Sequence, residues 1–476
     1  MEKRDYDAVV VGAGPNGLSA AIALQQAGLS VLLLEGKATI GGGMRSEALT
    51  LPGFIHDVCS AVHPLAAVSP FFSTLPLHQH GLEFIYPEVA AAHPFDNGSA
   101  AALYSSVEVT AAQSTRDTAA YTKLMQPLLQ NWQQLLPEML GPLKLPPSPA
   151  MMRFGLNALK NATSVAGKHF KTPVMRGLFA GMAAHSMQPL SHAGTAAVGL
   201  ALLLSGHAAG WPVPKGGAQQ LANALATCFT AMGGTIETGV MVQSLQQLPS
   251  AHAVLLDVTP AQLLRIAGHQ LSAFYRWQLH RYKYGMGVFK IDWAIEGEVP
   301  FTNEICRQAG TVHLGNTLEE IALSEHAVWK GRTSREPFVL LSQPGVMDSS
   351  RAPEGKQAIW GYCHVPGGSR EDMTAAIEAQ VERFAPGFQE RILQRHVMDT
   401  AAMEAYNPNY IGGDINGGVQ SLDQLFTRPV LRYSPYRTSK KGLYLCSSST
   451  PPGGGVHGMC GYYAAQRALK DLFSKR

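Results

Sequence analysis

The sequence predicts an α/β fold in which a parallel-sheet domain, assembled from separate segments, is interleaved with a domain of mixed sheet and helices. Three observations favour it: a strand, glycine-rich turn, helix and strand at the N-terminus, a glycine-rich junction near residue 215, and a second strand, glycine-rich turn and helix near the C-terminus. The 476 residues also exceed what one ordinary hydrophobic core supports, so we expect two domains.

The N-terminal segment carries the most specific pattern. Ala8–Val11 is a continuous apolar run, as expected for a parallel strand that is buried on both faces. Gly28 is well placed to end the Ala-rich helix that follows, and Val31–Leu34 forms the next strand. The first strand and the helix are joined by a turn with the spacing G-x-G-x-x-G, made of Gly12, Gly14, Pro15, Asn16 and Gly17.

This spacing is typical of dinucleotide binding. One glycine allows the tight turn, the second lets a diphosphate approach the backbone, and the third lets helix and strand pack closely. The diphosphate then lies at the helix N-terminus, where free N–H groups and the helix dipole favour an anion. Glu35, at the end of the second strand, can accept hydrogen bonds from ribose hydroxyls and argues against a 2′-phosphate there.

A second glycine cluster follows the acidic residue. Gly36, Gly42, Gly43 and the adjoining Met44 would let the backbone approach another part of an extended cofactor. Arg45 can supply positive charge to the diphosphate. Taken without its neighbours, Gly41–Gly43 could also be an ordinary flexible loop.

Composition restricts the class of protein. Hydrophobic residues make up 46% of the chain and charged residues only 15%, and this charged fraction is low for a soluble protein. Residues 1–6 leave no room for a signal peptide, and no apolar run reaches about 18 residues, so we expect a cytoplasmic protein. The six cysteines include no C-x-x-C pair and give no zinc signature, and no basic motif suggests nucleic acid.

The charge distribution is uneven. No Asp or Glu occurs between Glu138 and Glu237, whereas seven basic residues do. The helical part of this interval is also rich in Met, Leu, Phe and Ala, as an interfacial membrane contact requires. A solvated basic face over an ordinary core helix is the alternative interpretation.

Local patterns predict the structure of several further segments. Tyr104–Thr110 could be a strand, and 117–140 has the spacing of one helix. His56, Asp57 and His63 are candidate polar groups near the site, although surface or capping roles suit them equally well. The glycine-rich segment Tyr406–Gly418 is expected to line a site. Near the C-terminus, a glycine-rich turn follows the strand Gly442–Cys446, with a helix from about Tyr462 to Leu472.

Together, these motifs resemble the phytoene desaturase-related FAD oxidoreductases of the amine oxidase and phytoene desaturase superfamily. Within that group the chain is most similar to the branch named for pyridine nucleotide-disulfide oxidoreductase domain-containing protein 2. The resemblance implies a Rossmann-like FAD-binding domain and a substrate domain. The FAD-binding domain would comprise residues 1–70, 211–267 and 428–476. The substrate domain would comprise 71–210 and 268–427, with a helical, membrane-facing part at about 118–210.

The resemblance also implies site residues. The adenosine diphosphate half of FAD would be held by Gly12, Gly14, Pro15, Asn16, Gly17, Glu35, Gly36, Gly42, Gly43, Met44, Arg45 and Val240. The ribityl chain and ring would lie near Ser449, Gly455, Val456, Gly458 and Met459, with His457 as a candidate catalytic residue. Lys290 shares a strand face with Val288 and Asp292. Its strand resembles the amine oxidase strand whose lysine holds a water against flavin N5, although a lysine facing solvent is an equal alternative.

The predicted function is therefore FAD-dependent hydride transfer on an apolar, isoprenoid-like substrate that is reached from a membrane surface. The missing cysteine pair and the lack of a second G-x-G-x-x-G favour oxygen or a quinone as the electron acceptor. Two alternatives remain open. A flavin amine oxidase would have an aromatic cage, to which Tyr410, Tyr433 or Tyr462 could contribute. A non-catalytic interaction protein would keep FAD only to stabilise its fold.

Overall fold

The structure is a computed structural model that describes residues 5–425 and 427–474. The residues at the outer limits of the predicted domains, 1–4 and 475–476, lie outside these ranges. The strands, in chain order, are β1 (Tyr6–Val11), β2 (Val31–Leu34), β3 (Ser46–Glu47), β4 (His56–Asp57), β5 (Phe84–Ile85), β6 (Val89–Pro94), β7 (Ala100–Leu103), β8 (Val213–Pro214), β9 (Thr235–Glu237), β10 (Ala251–Leu256), β11 (Gly287–Glu296), β12 (Ala309–Leu314), β13 (Val339–Ser342), β14 (Lys356–Val365), β15 (Ile392–Met398) and β16 (Leu443–Leu445).

The α-helices alternate with these strands and dominate the middle of the chain. They are α1 (Pro15–Gln26), α2 (Pro64–Ala67), α3 (Val107–Ala112), α4 (Thr118–Gln130), α5 (Trp132–Met139), α6 (Pro149–Ala158), α7 (Ala162–His169), α8 (Pro173–Ala184), α9 (Thr195–Ala209), α10 (Gln219–Ala231), α11 (Pro260–Ala267), α12 (Ala273–His280), α13 (Glu304–Gln308), α14 (Leu318–Trp329), α15 (Thr374–Phe384), α16 (Thr400–Tyr406), α17 (Leu422–Leu425) and α18 (Met459–Ala468).

The first sheet is parallel throughout and has the order β16-β10-β1-β2-β9. Its central strand β1 is almost entirely apolar because helices cover both faces, and α1 packs against α18 and α10 on one of them. The glycine turn after β1, the acid after β2 and the end of β10 therefore meet at the carboxyl edge of one sheet. Ligands of open α/β sheets bind at this edge.

The second sheet is mixed, with the order β15-β11-β14-β13-β12-β6-β7. β12 and β6 run parallel, and the other neighbours are antiparallel. One of its faces packs on α13 and α15, and its core includes Trp293, Phe301 and Phe388. The two sheets together confirm the predicted α/β class with a parallel Rossmann-like part and a mixed-sheet part.

The interval without acidic residues is helical, as its spacing predicts. The apolar segment that begins at Gly194 is α9, which packs on α8, α6 and α4. It has 15 residues. Across residues 5–425 and 427–474, no helix combines the length and the hydropathy that crossing a bilayer requires.

Two local assignments were wrong. The segment Tyr104–Thr110 is not a strand: β7 ends at Leu103, and the Ser106 hydroxyl accepts the N–H of Val109, which starts α3. The predicted helix over 117–140 is two helices, because Asn131 lies between α4 and α5 and its side-chain amide donates to the carbonyl of Pro127. The six cysteines all lie in the described ranges and are free thiols, with Cys59 the most accessible.

Candidate functional site

A cavity of about 400 Å³ opens at the carboxyl edge of the parallel sheet and extends to the mixed sheet. At one end it is lined by the turns that follow β1, β2 and β10. At the other end it is lined by side chains of β12, β13 and β14. The residues predicted to hold a cofactor that line this cavity are Gly12, Gly14, Pro15, Asn16, Glu35, Gly36, Gly42, Gly43, Arg45, Val240, Gly455 and Val456.

The first glycine turn has the geometry that the motif predicts. Gly12 has a positive φ of 98°, and a Cβ on Gly17 would lie 1.8 Å from the carbonyl oxygen of Gly12. Gly17 therefore serves the close packing of α1 on β1, while Gly12 and Gly14 border the cavity. Gly14, the residue before α1, has no side chain that could cap the helix. The side-chain oxygen of Asn16 is buried without a hydrogen-bond partner. This helix terminus suits the diphosphate of a dinucleotide.

Glu35 lies at the centre of a hydrogen-bond cluster beside that turn. One carboxylate oxygen accepts the N–H of Ala13 at 2.8 Å, and the other accepts the N–H of Lys37 at 2.9 Å. The guanidinium of Arg45 also donates to Glu35 at 3.0 Å, and both side chains are nearly inaccessible to solvent. Arg45 borders the cavity, where it could contact a diphosphate. Its positive charge is also paired with the carboxylate of Glu35.

The second glycine cluster lies against the first. A Cβ on Gly42 would come within 3.0 Å of the Cα of Gly14, so the two turns pack backbone to backbone. Met44 points into the hydrophobic core and does not border the cavity. The N–H of Val240 donates to the carbonyl oxygen of Glu35 at 2.8 Å, which fixes the segment after β9 beside the predicted ribose site.

The C-terminal turn contributes only part of what was predicted. Gly455 and Val456 line the cavity, whereas Ser449, His457, Gly458 and Met459 are not among its described lining residues. The Ser449 hydroxyl donates to the carbonyl of Gly417 at 2.7 Å.

His457 has a structural partner. Its Nδ1 accepts the N–H of Met459 at 3.0 Å, at the start of α18, and burial lowers the pKa of its imidazole to about 4. Gly458 has a positive φ of 70° and its Cα is packed against Ser19 and Phe72. These residues shape the turn behind the cavity wall, and the catalytic role of His457 stays a prediction.

Lys290 is buried rather than solvent-facing. Its ammonium pairs with the Asp292 carboxylate on the same face of β11, as the strand alternation predicts, and lies 5.1 Å from the ring centroid of Trp360. Trp360 lines the cavity, whereas Lys290 is not among its described lining residues. Burial raises the pKa of Asp292, but Lys290, His396 and His56 together lower it by more, so the pKa lies below its ordinary value. The catalytic role of Lys290 also stays a prediction.

Of the three polar candidates in the segment 56–63, only His63 lines the cavity. Burial lowers the pKa of His63 to about 4, so its imidazole is neutral. His56 hydrogen-bonds the Thr50 hydroxyl at 2.7 Å, and Asp57 accepts from Arg351 at 2.9 Å and from Ser46. His56 and Asp57 thus stabilise the junction between the two sheets.

The far end of the cavity is a chamber of aromatic and apolar side chains. The rings of Trp360 and Tyr362 stack with their centroids 5.9 Å apart at an angle of 11°. Tyr410 belongs to the same hydrophobic cluster and donates its hydroxyl hydrogen to the Cys59 thiol at 3.4 Å. Other side chains lining this chamber are Met187, Leu202, Trp211, Leu340 and Ile415.

One polar group in this chamber has an unusual setting. His185 lines the cavity, and its Nε2 lies 2.9 Å from Nε2 of the buried His313. Burial lowers the pKa of His185 to about 3, and burial with the adjacent His185 and His93 holds the pKa of His313 well below its ordinary value. Both imidazoles are therefore neutral, and the chamber carries no histidine cation.

Sequence reasoning missed several lining residues. Trp360 and Tyr362 lie on β14 and His185 directly follows α8, and no local pattern indicates that these distant elements meet. Asp257 could have been found, because it is an acidic residue directly after a buried parallel strand, at the edge where ligands bind. The segment Tyr406–Gly418 is predicted to line a site, and Tyr406–Tyr410, Ile415 and Asn416 line this cavity.

Comparison with known proteins agrees with this geometry. Residues 10–75 match the model of the NAD(P)-binding Rossmann-like domain. Pyridine nucleotide-disulfide oxidoreductase domain-containing protein 2 of Rattus norvegicus is 26% identical over 99% of this chain and 94% of its own length. The lycopene-forming phytoene desaturase of Paracoccus sp. is 24% identical over 98% of both chains.

Solved structures share the fold. Cyclohexylamine oxidase from Brevibacterium oxydans superposes with a TM-score of 0.62 at 15% identity, covering 99% of this chain and all of the other. The dinucleotide-binding edge, the mixed sheet and these relatives together bear out the resemblance recognised in the motifs. Over nearly its whole length the chain is therefore similar to pyridine nucleotide-disulfide oxidoreductase domain-containing protein 2 and to a phytoene desaturase, and it shares its fold with an amine oxidase.

Proposed function

We propose that this protein is an FAD-dependent oxidoreductase that transfers hydride to or from an apolar, isoprenoid-like substrate, in a desaturation, saturation or isomerisation. The observation that carries the proposal is a single cavity that joins the two glycine turns to the aromatic and apolar chamber. When bound, FAD supplies the hydride chemistry at N5. Oxygen or a quinone would serve as the electron acceptor.

The residues at the cofactor end fit FAD. The N-terminus of α1 would take the diphosphate, Glu35 would accept from the ribose hydroxyls, and Val240 would border the adenosine. The lining turns contain several glycines, so the backbone can approach an extended ligand without clashes. Gly455 and Val456 would form the wall next to the ring.

The chamber residues favour a neutral, apolar substrate. The rings of Trp360 and Tyr362 and the side chains of Leu202 and Leu340 offer apolar surface, and His63 and His185 are neutral because burial lowers their pKa values. Such walls exclude water from the reacting atoms and orient a flat, conjugated chain by stacking. A charged substrate would lose its hydration without a charged partner on these residues.

The direct test is an anaerobic titration of the FAD-loaded protein. A long linear polyene in liposomes should bleach the visible absorption of the flavin, or reoxidise it after chemical reduction. The matched variant Trp360→Ala should weaken this response at least about tenfold by removing a stacking surface, while FAD stays bound. If only alkylamines bleach the flavin, the isoprenoid proposal is wrong.

A flavin amine oxidase is the second candidate, favoured by one observation. Trp360, Tyr362 and Tyr410 present aromatic rings around the chamber, as a cage for an amine would require. Of the tyrosines considered from the sequence, Tyr410 lines the cavity, Tyr433 is fully exposed, and Tyr462 is not among the described lining residues. The same titration separates the two candidates. A flavin that no reductant bleaches would instead support the non-catalytic alternative.

Access from a membrane surface is part of the proposal. On α6, Met152 and Leu156 are exposed, and Leu159 follows one turn later on the same side. Leu143 and Leu145 are exposed on the preceding loop. Exposed Arg153 and Lys160 lie beside these residues, and exposed Lys144 lies 3.6 Å from the Glu138 carboxylate, so this surface carries cations that suit an anionic bilayer.

We expect Leu156→Glu to reduce flotation of the protein with anionic liposomes severalfold, because it removes an apolar anchor and adds a repelled charge. The matched control is Leu323→Glu, which changes an equally exposed leucine (71% against 70%) on α14. If both variants float as the native protein does, α6 does not contact the membrane.

A further inference from the structure

Asp257 occupies the position where an anionic ligand is expected. The residue follows β10, and its carboxylate accepts the N–H of Gly17 at 2.9 Å, in the first turn of α1. A Cβ on Gly14 would lie 3.0 Å from the same carboxylate oxygen. Asp257 also lines the cavity beside Gly12 and Gly14. An acidic side chain thus shares the helix terminus at which the diphosphate of FAD would bind.

Two negative groups at this terminus would repel each other. The diphosphate carries two negative charges, and the partly buried setting weakens solvent screening between close charges. The N–H of Gly17 is one of the few donors at the start of α1 that have no acceptor within the helix, since Pro15 has no N–H. Cofactor binding is compatible with Asp257 only if its carboxylate moves away or loses its charge.

We propose that Asp257 binds the diphosphate as a neutral carboxylic acid, so that each FAD molecule is bound together with one proton. A protonated carboxyl keeps one oxygen to accept the Gly17 N–H and gains an O–H that can donate to a phosphate oxygen. The inference rests on the proposed function, since it requires that FAD is the ligand. Asp257 is a positioning residue for the cofactor and takes no part in hydride transfer.

The surroundings of Asp257 already favour its neutral form. Burial raises the pKa of its carboxyl to about 7, the Gly17 N–H lowers it, and the charge of Glu35 raises it again. The positive charge of Arg45 is paired with Glu35, and the Lys37 ammonium donates to the carbonyl of Ala405.

The other titratable groups packed near Asp257 are neutral. Burial raises the pKa of Tyr284 and of Cys460 to about 12, and the pKa of Cys446 lies well above its ordinary value. Arg45 and Lys37 are therefore the cations that face this part of the site, and both have other partners. The carboxyl is held by the backbone rather than by a cation.

The pKa of Asp257 determines how the affinity for FAD changes with pH. The pKa of Asp257 is about 7 without cofactor, and the diphosphate raises it further. Below pH about 6 the acid is protonated with or without FAD, so the affinity does not depend on pH. Above pH 7 each binding event takes up a proton, and the dissociation constant rises by up to about tenfold per pH unit.

The experiment dilutes the FAD-loaded protein into buffers between pH 6.0 and 8.5 and measures released FAD by its fluorescence at equilibrium. The native protein should show a dissociation constant that rises about 10- to 30-fold across this range. Asp257→Asn keeps an oxygen for the Gly17 N–H but cannot ionise, so its constant should change less than about twofold. At pH 8.5 this variant should bind FAD more tightly than the native protein. Glu237→Gln, at the exposed end of β9, removes an equal charge on the same sheet and should behave as the native protein does.

The experiment distinguishes a failure of this inference from a failure of the proposed function. A flat profile for the native protein overturns the inference even if Asp257→Asn fails to fold. If the dissociation constant rises equally with pH in the native protein and in Asp257→Asn, another group takes up the proton, and this result also overturns the inference. A protein that holds no FAD at any pH contradicts the proposed function instead.

Discussion

Replacing Glu35 by alanine is expected to strip the protein of FAD during purification and to lower its free energy of unfolding by about 3–5 kcal/mol. Glu35 accepts the N–H groups of Ala13 and Lys37 and balances the charge of Arg45. Removing the carboxylate leaves a guanidinium buried without its partner and removes the acceptor for the ribose hydroxyls. Both losses affect the same few atoms, so stability and cofactor retention should fall together.

Chemical denaturation and the absorbance ratio of flavin to protein measure these two effects. Glu35→Gln is the matched control, because it keeps the acceptor oxygen and the side-chain volume while losing the charge. We expect it to retain more FAD than Glu35→Ala and to unfold between the alanine variant and the native protein. If Glu35→Ala retains FAD as the native protein does, the acid is not a cofactor ligand.

Lys290→Met is expected to destabilise the protein by about 3–5 kcal/mol, because it leaves the buried carboxylate of Asp292 without its cation. The imidazole of His56, 3.6 Å from this carboxylate, cannot replace the ammonium because burial lowers its pKa to about 4, and the imidazole of His396 lies 3.6 Å from the other carboxylate oxygen. The double variant with Asp292→Leu removes the charge as well and should recover most of the lost stability. Urea denaturation of the single and double variants measures this recovery.

The same pair of variants tests the catalytic role predicted for Lys290. If the lysine acts on the flavin, the flavin of the refolded, FAD-loaded double variant must still be reduced or reoxidised more slowly than the flavin of the native protein. If its flavin reacts at the native rate, the function of Lys290 is the ion pair beneath Trp360. A single variant as stable as the native protein would contradict the buried pair itself.

The parts of the site that the sequence predicts are those set by local structure. Gly12, Gly14 and Glu35 lie on consecutive elements of one strand–helix–strand unit, so their spacing alone places them at one sheet edge. The strand alternation likewise placed Lys290 and Asp292 on one face. Whether that face borders the cavity depends on Trp360, which lies on another strand and covers the ammonium. Such packing leaves no local pattern.

The C-terminal turn is a second case in which the local sequence predicts the elements but not which residues reach the cavity. Its glycines predicted a strand, turn and helix correctly, yet only Gly455 and Val456 border the cavity. A Cβ on Gly461 would lie 1.7 Å from the carbonyl oxygen of Asn16, so close packing of α18 on α1 turns the start of that helix away. The apolar chamber was not predictable residue by residue, since Met187, Trp211 and Tyr362 meet only through the fold.

The central claim is that this chain holds FAD as a redox cofactor. The most direct measurement is the visible spectrum of the purified protein, followed by acid release and chromatographic identification of the chromophore. The account predicts the bands of an oxidised flavin, release of FAD rather than FMN or NAD, and bleaching by dithionite. A colourless protein that takes up no added FAD near pH 6, where binding should be tightest, would contradict it.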